Sequence, residues 1–574
     1  MKQIRYIIPL IGAVLGVLSV KAQTEDSLIT RNVVVEKEFR PIIQDVGKLN
    51  IQPKQVETRV EPAKVEYSEY STTLQSINDF NPLGASSIRF NQPSTPDGYL
   101  EAGLGHSLTH LDFGYRITQK QDIRMDLFAK HDAQWGMKAW SESKIGMSFL
   151  KRYSTMEVYF DVDGNHWYYT RYGRYFDRDK HLAGNMRDLH GDDFQHVWTV
   201  NTTVGVRSRK SETIQYRVQT GYTAFILPDM AVEHQVRSHA DVAWQSEEHK
   251  AGANIYVQNA FYTVNERMHI PDSAYNARHA LRIEPYYEYA AGSWRLHAGV
   301  NFDMNIGKGR LLSNNENLSF APSPNIQAEY RIIPTWLAVY AKAEGKFGTG
   351  TLQDALIGNP YDQLEPGITS HHVSPYMPVE ASLGIKLRPT NTLFIDVYAR
   401  YAYMKNNFIF RSPTIDSLAI NRSSFMDHVY ADYQRWTVGA EFTYHYQDII
   451  NIRLGGHYYA WRQAMEDTEQ AEDPKKVYER PSWDLHLRID AKINSKWSLY
   501  SDNLFGGSRQ ALLMGGSSAK MKELIDVRLG AQYNIHRWLS CYFQINNYIH
   551  RKNDIFYGYQ SLGINGQIGV RWQF

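Results

Sequence analysis

The chain ends in the stretch INGQIGVRWQF, residues 564–574, in which apolar and polar or small side chains alternate. Ile564, Ile568, Val570, Trp572 and Phe574 fall on one side of an extended strand, because successive side chains of a strand point to opposite faces. Asparagine, glutamine, arginine and glycine occupy the other side. The C-terminus therefore predicts a β-strand that separates apolar surroundings from polar ones.

The same two-residue period recurs through most of the chain, for example in residues 294–304, 379–387, 435–445, 483–493 and 525–534. Short turns alternate with long connections, and the long ones fall at residues 165–192, 264–276, 307–316, 348–375, 405–427, 462–479 and 506–520. This alternation is typical of outer-membrane barrels, which have tight periplasmic turns and long external loops. Counting hairpins back from Phe574 predicts an all-β, transmembrane antiparallel β-barrel of about 22 strands, within a range of roughly 20 to 24.

Composition excludes several other classes. The 574 residues are 43% hydrophobic and 13% aromatic, too rich in aromatics for a wholly disordered chain. There is one apolar run, at the N-terminus, so a bundle of membrane-spanning helices is excluded. The net charge of +1 gives no reason to expect a nucleic-acid partner, and the single Cys541 cannot form an internal disulfide.

The first residues have the features of a signal peptide. Lys2 and Arg5 precede an apolar run at residues 7–20, and Ala22 is a small residue suited to cleavage. Residues 1–22 are therefore predicted to direct export. The alternative is an N-terminal membrane anchor, for which the run is short.

Residues 23–97 differ in composition from the rest of the chain. The first part is charged, poor in aromatics and interrupted by Pro41, Pro53 and Pro62, which argues against a compact helical domain. We predict an extended periplasmic segment over residues 23–97, which can also form a partial plug, and a barrel over residues 98–574.

The rival interpretation is a soluble secreted β protein such as a propeller or a sandwich. Two features favour the membrane. Aromatics such as Trp294, Trp436, Trp483 and Trp572 stand at strand ends on the apolar face, as the interfacial girdles of membrane barrels require. Charges are frequent on the opposite face, too frequent for a dry core.

Ile568, Val570, Trp572 and Phe574 resemble the C-terminal β-signal of Gram-negative outer-membrane proteins. In that family the final aromatic residue and the alternating apolar residues before it are read by the barrel-assembly machinery. The resemblance implies location in the cell outer membrane, contact with its lipid, and the assembly machinery as a partner.

The predicted strand number also resembles that of TonB-dependent receptors. Val33, Val34 and Val35 resemble a loose TonB box, which implies TonB as a periplasmic partner. These receptors, however, carry a plug domain of well over a hundred residues, whereas about 75 residues separate positions 22 and 97 here. The chain is therefore similar to the small, plug-poor barrels of this type. The other interpretation of Val33–Val35 is a strand that pairs with a different periplasmic protein.

Charges of both signs are predicted to line the lumen. The candidates are Arg124, Asp126, Arg282, Glu284, Asp396, Arg400, Arg488, Asp490, Asp526 and Arg528. Residues two apart share a face of a strand, so several of them are predicted neighbours. One interpretation is a polar conduit with little charge selectivity. The other is an ion-pair lattice across the lumen that closes the barrel.

The predicted external loop after residue 165 is the candidate ligand segment. Trp167, Tyr168, Tyr169 and Tyr172 lie close to Arg171, and such flat rings beside a guanidinium can stack on a sugar, an aromatic group or a peptide. The alternative is an extension of two strands beyond the membrane with interfacial aromatics.

The function predicted from these patterns is passage or uptake of an unidentified solute, receptor-like or porin-like. No HExxH motif, P-loop or nucleophile elbow is present, so we predict neither enzymatic activity nor a cofactor. The main alternative is a structural or assembly component of an outer-membrane complex, which binds a periplasmic partner through its N-terminal segment by strand addition. A barrel hydrolase with residues gathered only in three dimensions is a third.

Overall fold

The computed structural model describes residues 97–574 apart from 120–121, 137, 171–193, 210–212, 229, 265–276, 307–317, 363–374, 413–425, 448, 466–472 and 474. The predicted signal peptide, Val33, Val34, Val35, Arg171 and Tyr172 lie outside the described residues. Within them, no helix is both long enough and apolar enough to cross a membrane.

The elements follow in chain order. They are β1 (Gly98–Gly105), β2 (Leu108–Gln119), β3 (Ile123–Gln134), β4 (Trp140–Arg152), β5 (Met156–Thr170), β6 (Phe194–Ser208), β7 (Ile214–Leu227), β8 (Ala231–Gln245), β9 (His249–Val264), β10 (Arg278–Ala291), β11 (Trp294–Ile306), β12 (Leu318–Ile333), β13 (Leu337–Phe347), α1 (Leu352–Gly358), β14 (Tyr376–Thr390), β15 (Leu393–Ser412), β16 (Asp427–Tyr446), β17 (Ile450–Met465), β18 (Trp483–Lys492), β19 (Trp497–Gly506), β20 (Arg509–Leu513), β21 (Ser518–Met521), β22 (Leu524–His536), β23 (Leu539–Asn546), β24 (Asp554–Phe556), β25 (Tyr559–Gln560) and β26 (Asn565–Gln573).

The strands close into one antiparallel barrel. Each wall strand pairs with the next, and β26 pairs both with β23 and with β1, where Ile568 lies opposite Leu104. The backbone N–H of Gly98 donates to the carbonyl of Phe574 at 2.8 Å, and the return bond is 2.9 Å. The 24-stranded sheet includes the β20–β21 hairpin, which attaches to the tip of β15, so the wall itself has 22 strands. The predicted strand number is confirmed.

The wall is apolar outside and polar inside. On β26, Ile568 and Val570 are 64% and 48% exposed on the outer face, whereas Gln567 is 2% exposed on the inner face. Trp294, Trp436, Trp483 and Trp572 are also exposed on the outer face. The short turns after β2, β4, β6 and β8 lie at the end of the barrel where β1 begins and β26 ends, and the long connections after β5, β9 and β13 lie at the other end, together with the short connections at residues 106–107 and 228–230. Outer-membrane barrels place the end with the tight turns in the periplasm, so we assign the end where β1 begins as the periplasmic end.

Two predicted connections begin well before their strands end, and the connection predicted from residue 462 begins slightly early because β17 continues to Met465. β5 continues through residues 165–170 and pairs with β6 as far as Thr170, and β15 continues to Ser412. The alternation weakens in both stretches, because the inner faces of these strand tips are buried against other segments. In β15 the register shifts between Met404 and Asn407, where Asn406 takes a φ of 56°.

Inward-facing tyrosines near the periplasmic end lie opposite glycines of the neighbouring strand. The register pairs are Tyr99–Gly114, Tyr159–Gly205, Tyr286–Gly252, Tyr340–Gly384, Tyr398–Gly439, Tyr500–Gly530 and Tyr542–Gly569. A Cβ on Gly384 would lie 2.5 Å from Cζ of Tyr340. The tyrosine ring therefore lies over the strand backbone at a position that only glycine leaves open, which fixes the register locally.

We expect Gly384→Ala to destabilise the barrel by about 1–3 kcal/mol, because the added methyl displaces the Tyr340 ring from a tightly packed position. The matched control is Gly164→Ala, since nothing lies within 4 Å of a Cβ built there. The measurement is the temperature at which the folded barrel loses its compact mobility in SDS gels. This account would be contradicted if both variants lowered that temperature equally. It would also be contradicted if Gly384→Ala lowered it as much in a Tyr340→Ala background as in the native protein.

Candidate functional site

The long connection between β13 and β14 folds into the mouth of the barrel. Its described part, residues 348–362, contains α1 and is called the cap. Glu233 on β8 is fully buried and accepts hydrogen bonds from the backbone N–H groups of Leu352 at 2.6 Å and Gln353 at 3.3 Å. A carboxylate at this position satisfies the free N–H groups that begin a helix. Arg278 on β10 donates to the carbonyl of Thr349 at 3.1 Å, so this wall holds the start of the cap.

The other end of the cap is bound to the opposite wall. The carbonyl of Tyr361 accepts from the N–H of Met426 at 2.9 Å, and Asp362 Oδ2 lies 2.8 Å from Nδ1 of His428 on β16. The Tyr361 ring stacks on Tyr559 of the β24–β25 hairpin with centroids 3.7 Å apart. In a ring of 22 strands, β16 lies eight positions from β8. The cap therefore crosses the mouth from one side to the other.

A buried apolar cluster joins the cap to both walls. Its members are Tyr169, Val197, Phe225 and Leu227 from β5 to β7, Leu352, Ala355, Leu356 and Tyr361 from the cap, and Phe410, Met426, Phe556 and Tyr559 from the other side. Leu356 has no exposed surface. Burying each large side chain of this kind stabilises the closed arrangement by about 1.5–3 kcal/mol. The cluster closes the middle of the mouth with a dry contact.

A second inward segment, residues 475–482, covers the inner face of β15 to β17. The N–H of Tyr478 donates to Oε1 of Gln463 at 3.1 Å, and Nε1 of Trp461 donates to the carbonyl of Pro481 at 2.9 Å. Nearby, β20 pairs in parallel with the tip of β15. The strand tips, the cap and this segment thus form one continuous packed layer at the mouth.

Glu479 lies in this second segment at the junction of several pieces. It is 5% exposed, has a φ of +59°, and accepts from the backbone N–H of Phe410 at 3.2 Å. Burial raises the pKa of Glu479 to about 7, against the opposing effect of the positive charges of Arg480 and Arg509. Arg509 in turn donates to the carbonyl oxygens of Asp554 and Ile555. The protonation of one buried carboxyl therefore bears on several contacts at the mouth.

The predicted lumen charges lie on the inner wall, and most of them pair with near neighbours. Arg124 binds Asp126, Arg488 Nη2 lies 2.9 Å from Asp490, and Arg528 Nε lies 2.8 Å from Asp526. These pairs join residues two apart on one strand, as the alternation predicts.

Two pairs among the predicted lumen charges, Arg282 with Glu284 and Asp396 with Arg400, do not form ion pairs with each other. Arg282 forms a bidentate ion pair with Asp303 on β11, with N–O distances of 2.6 and 3.1 Å. Glu284 instead contacts His297 and Asn325. Asp396 accepts from Tyr340 at 3.1 Å, and Arg400 lies 3.6 Å from Glu380. Within the described part of the chain, all these pairs run along the wall, and no ion pair bridges the lumen. The cap, rather than a lattice of charges, obstructs the mouth.

The predicted ligand segment is largely strand. Trp167, Tyr168 and Tyr169 belong to β5, so their placement in a loop is wrong. Tyr169 is 3% exposed in the apolar cluster, and Trp167 packs against that cluster. Tyr168 points outward beside His196. The structure matches the alternative of strands that extend beyond the membrane, and ligand binding by this segment stays a prediction.

The remaining predicted site residues occupy the closing strand. Ile568, Val570, Trp572 and Phe574 lie in a row on the outer face at the seam with β1, and their recognition by the assembly machinery stays a prediction. The described residues contain no group of three or more His, Cys, Asp or Glu side chains placed to hold a metal ion.

The sequence does carry one signal for the cap. Thr351 and Asp354 form a reciprocal capping box at the start of α1, followed by Ala355 and Leu356 on the buried side. That spacing was readable as a short helix. Glu233 and Glu479 had no comparable signal, since their partners are distant in the chain.

Comparison with known proteins gives structural matches without sequence matches. No protein-family model matches the chain, and no curated protein matches it. The copper transporter OprC superposes with a TM-score of 0.61 at 10% identity, covering 85% of this chain and 82% of that one. The FrpB iron transporter from Neisseria meningitidis superposes with a TM-score of 0.62 at 8% identity, covering 84% of this chain and 82% of that one. The ferric-catecholate import receptor Fiu from K12 E. coli gives 0.59 at 10% identity, with 84% and 82% covered.

At these identities the matches show the fold. The chain folds as a closed 22-strand antiparallel β-barrel, the fold of these three proteins.

Proposed function

We propose that this protein takes up or passes a solute across the outer membrane through its lumen, and that the cap is the gate at the outer mouth. The observation that carries the proposal is the cap itself, which joins opposite walls through a dry cluster above a polar, ion-paired inner wall. A polar lumen of this width holds water and solutes, and a closed mouth makes their passage conditional.

The structural neighbours support the same direction. OprC is named a copper transporter, FrpB an iron transporter and Fiu an import receptor for ferric catecholates. By analogy of fold we propose transport rather than catalysis for this chain. We further propose that residues 23–97 link the barrel to TonB or to another periplasmic protein through Val33–Val35.

Solute flux tests this function most directly. We expect proteoliposomes carrying a variant without residues 23–97 and with the cap replaced by a Gly-Ser linker to swell in isotonic solutions of small sugars and amino acids. The intact protein should swell them far more slowly. If the doubly altered, correctly folded barrel admits no solute above empty liposomes, the lumen is not a path, and the scaffold function becomes the better explanation.

A further inference from the structure

The inner face of β14 to β17, under the second inward segment, gathers three guanidinium groups. The register sets Arg435 on β16 between Ala402 and Trp461, and Arg400 on β15 beside Thr437. Arg480 comes from the segment above. Three separate pieces of chain therefore bring positive charge to one patch of wall.

Aromatic rings hold two of these guanidinium groups in place. Arg480 lies over Tyr433 and Trp461, with centroid distances of 5.1 and 5.9 Å. Arg435 lies over the same Trp461 ring at 5.5 Å. Stacking of this kind fixes the planes of the guanidinium groups and leaves their edges available for hydrogen bonds.

Negative charge at the patch is scarce. Glu380 is its one direct carboxylate partner among the described residues, with its oxygens 2.9 Å from Nη2 of Arg435 and 3.6 Å from Nη1 of Arg400. The charges of Arg400 and Arg480 both repel that of Arg435. No described carboxylate oxygen lies within 4.0 Å of a nitrogen of Arg480. Glu380 is thus the one described carboxylate that forms an ion pair at the patch, and it pairs with Arg400 and Arg435 but not with Arg480.

The nearest other carboxylates are committed elsewhere. Asp484 accepts from the hydroxyl of Tyr459 at 2.6 Å, and Asp396 accepts from that of Tyr340 at 3.1 Å. Glu479 accepts from the β15 backbone at Phe410. None of these three completes the patch.

Several donors at the patch have no acceptor among the described residues. They are Nε of Arg400, Nε of Arg435, Nε and Nη1 of Arg480, and the hydroxyl oxygen of Thr437. Arg480 is 8% exposed, so water does not readily replace a missing partner. A buried charged donor without an acceptor is destabilising, and an oxyanion removes that penalty.

We propose that Arg400, Arg435 and Arg480 form a binding site for an oxyanion group, a carboxylate or a phosphate, carried by the solute. This deepens the proposed function, on which it rests, by naming the chemical class of the solute. The forked guanidinium geometry matches the paired oxygens of both groups. A quarter of the Arg400 side chain remains exposed, which gives the lumen access to the site.

Equilibrium binding to the full mature protein in detergent, at low ionic strength, tests the site. The probes are inorganic phosphate, followed by ³¹P line broadening, and citrate, followed by calorimetry. We expect Arg480→Gln and Arg435→Gln each to weaken binding by about tenfold or more. Arg282→Gln is the matched control, since Arg282 is an inner-wall arginine already paired with Asp303, and it should leave binding unchanged.

Glu380→Gln gives a result that damage to the fold would not imitate. Removal of the competing carboxylate should tighten binding of the probes several-fold. Absence of binding to the native protein at millimolar phosphate and citrate, or equal loss in Arg282→Gln, would overturn the site. Because binding is measured without flux, a barrel that binds anions but passes no solute refutes only the proposed function. A barrel that passes solutes but binds neither probe refutes only this site.

Discussion

Replacement of residues 349–361 by a Gly-Ser linker of equal length should turn a silent barrel into one that gives stable conductance steps in a planar bilayer. The reason is that the cap supplies one side of the apolar cluster and a hydrogen-bonded bridge between β8 and β16 across the mouth. Without it, the polar inner wall is open to the external solution. Single-channel recording of the two purified proteins measures the change.

Two neighbouring residues of α1 provide a matched pair for the same recording. Leu356 is fully buried in the cluster, whereas Ile357 is 63% exposed. Leu356→Ala should weaken closure by about 2–5 kcal/mol and produce brief openings, whereas Ile357→Ala should remain silent. Steps from the intact protein equal to those of the linker variant would contradict the gate. Steps that appear only when residues 23–97 are also removed would show a second barrier on the periplasmic side.

The second large effect concerns pH. We expect the closed mouth to be most stable below about pH 5 and to loosen as pH rises to 7. Glu479 has a pKa of about 7 when buried and an ordinary value of 4.5 when exposed. Between these two values the closed form keeps a proton that the open form releases, so rising pH favours opening, and the effect is complete above pH 7. The shift corresponds to a change on the order of 3 kcal/mol in the closing free energy.

The groups that face Glu479 determine the direction in which its pKa shifts on closure, and therefore the direction of the pH effect. They are the backbone N–H of Phe410, the cations Arg480 and Arg509, and the carboxylate of Asp362. The cations and the N–H favour the ionised form, and burial outweighs them. The measurement is the frequency of channel openings at pH 5, 6, 7 and 8 in the Leu356→Ala variant, which is expected to open briefly. Glu479→Gln cannot ionise, so it should keep the opening frequency at its pH 5 value at every pH. Glu523→Gln, at an exposed position, should leave the pH dependence unchanged. A profile that falls with rising pH would exclude Glu479 as the controlling group.

The wall of this barrel could be predicted from the sequence because its determinants are local. A strand that faces lipid on one side and water on the other must alternate with a period of two, and residues 564–574 or 483–493 show this without knowledge of any partner. The number of strands then follows from the number of tight turns and long connections between them. Pairs such as Arg528 with Asp526 follow from the same period, since both residues lie on one face of one strand.

The mouth was decided only in the tertiary structure, because its contacts join residues far apart in the chain. Glu233 accepts a hydrogen bond from Leu352, which is 119 residues away in the chain, and Glu479 accepts one from Phe410, which is 69 residues away. At the tips of β5 and β15 the inner faces are buried against other segments and carry apolar side chains, so the two-residue period fades and the sequence resembles a loop there. The arginine patch has the same origin. Arg480 joins Arg400 and Arg435 only because an irregular segment folds back on the wall, and no pattern along the chain encodes that fold.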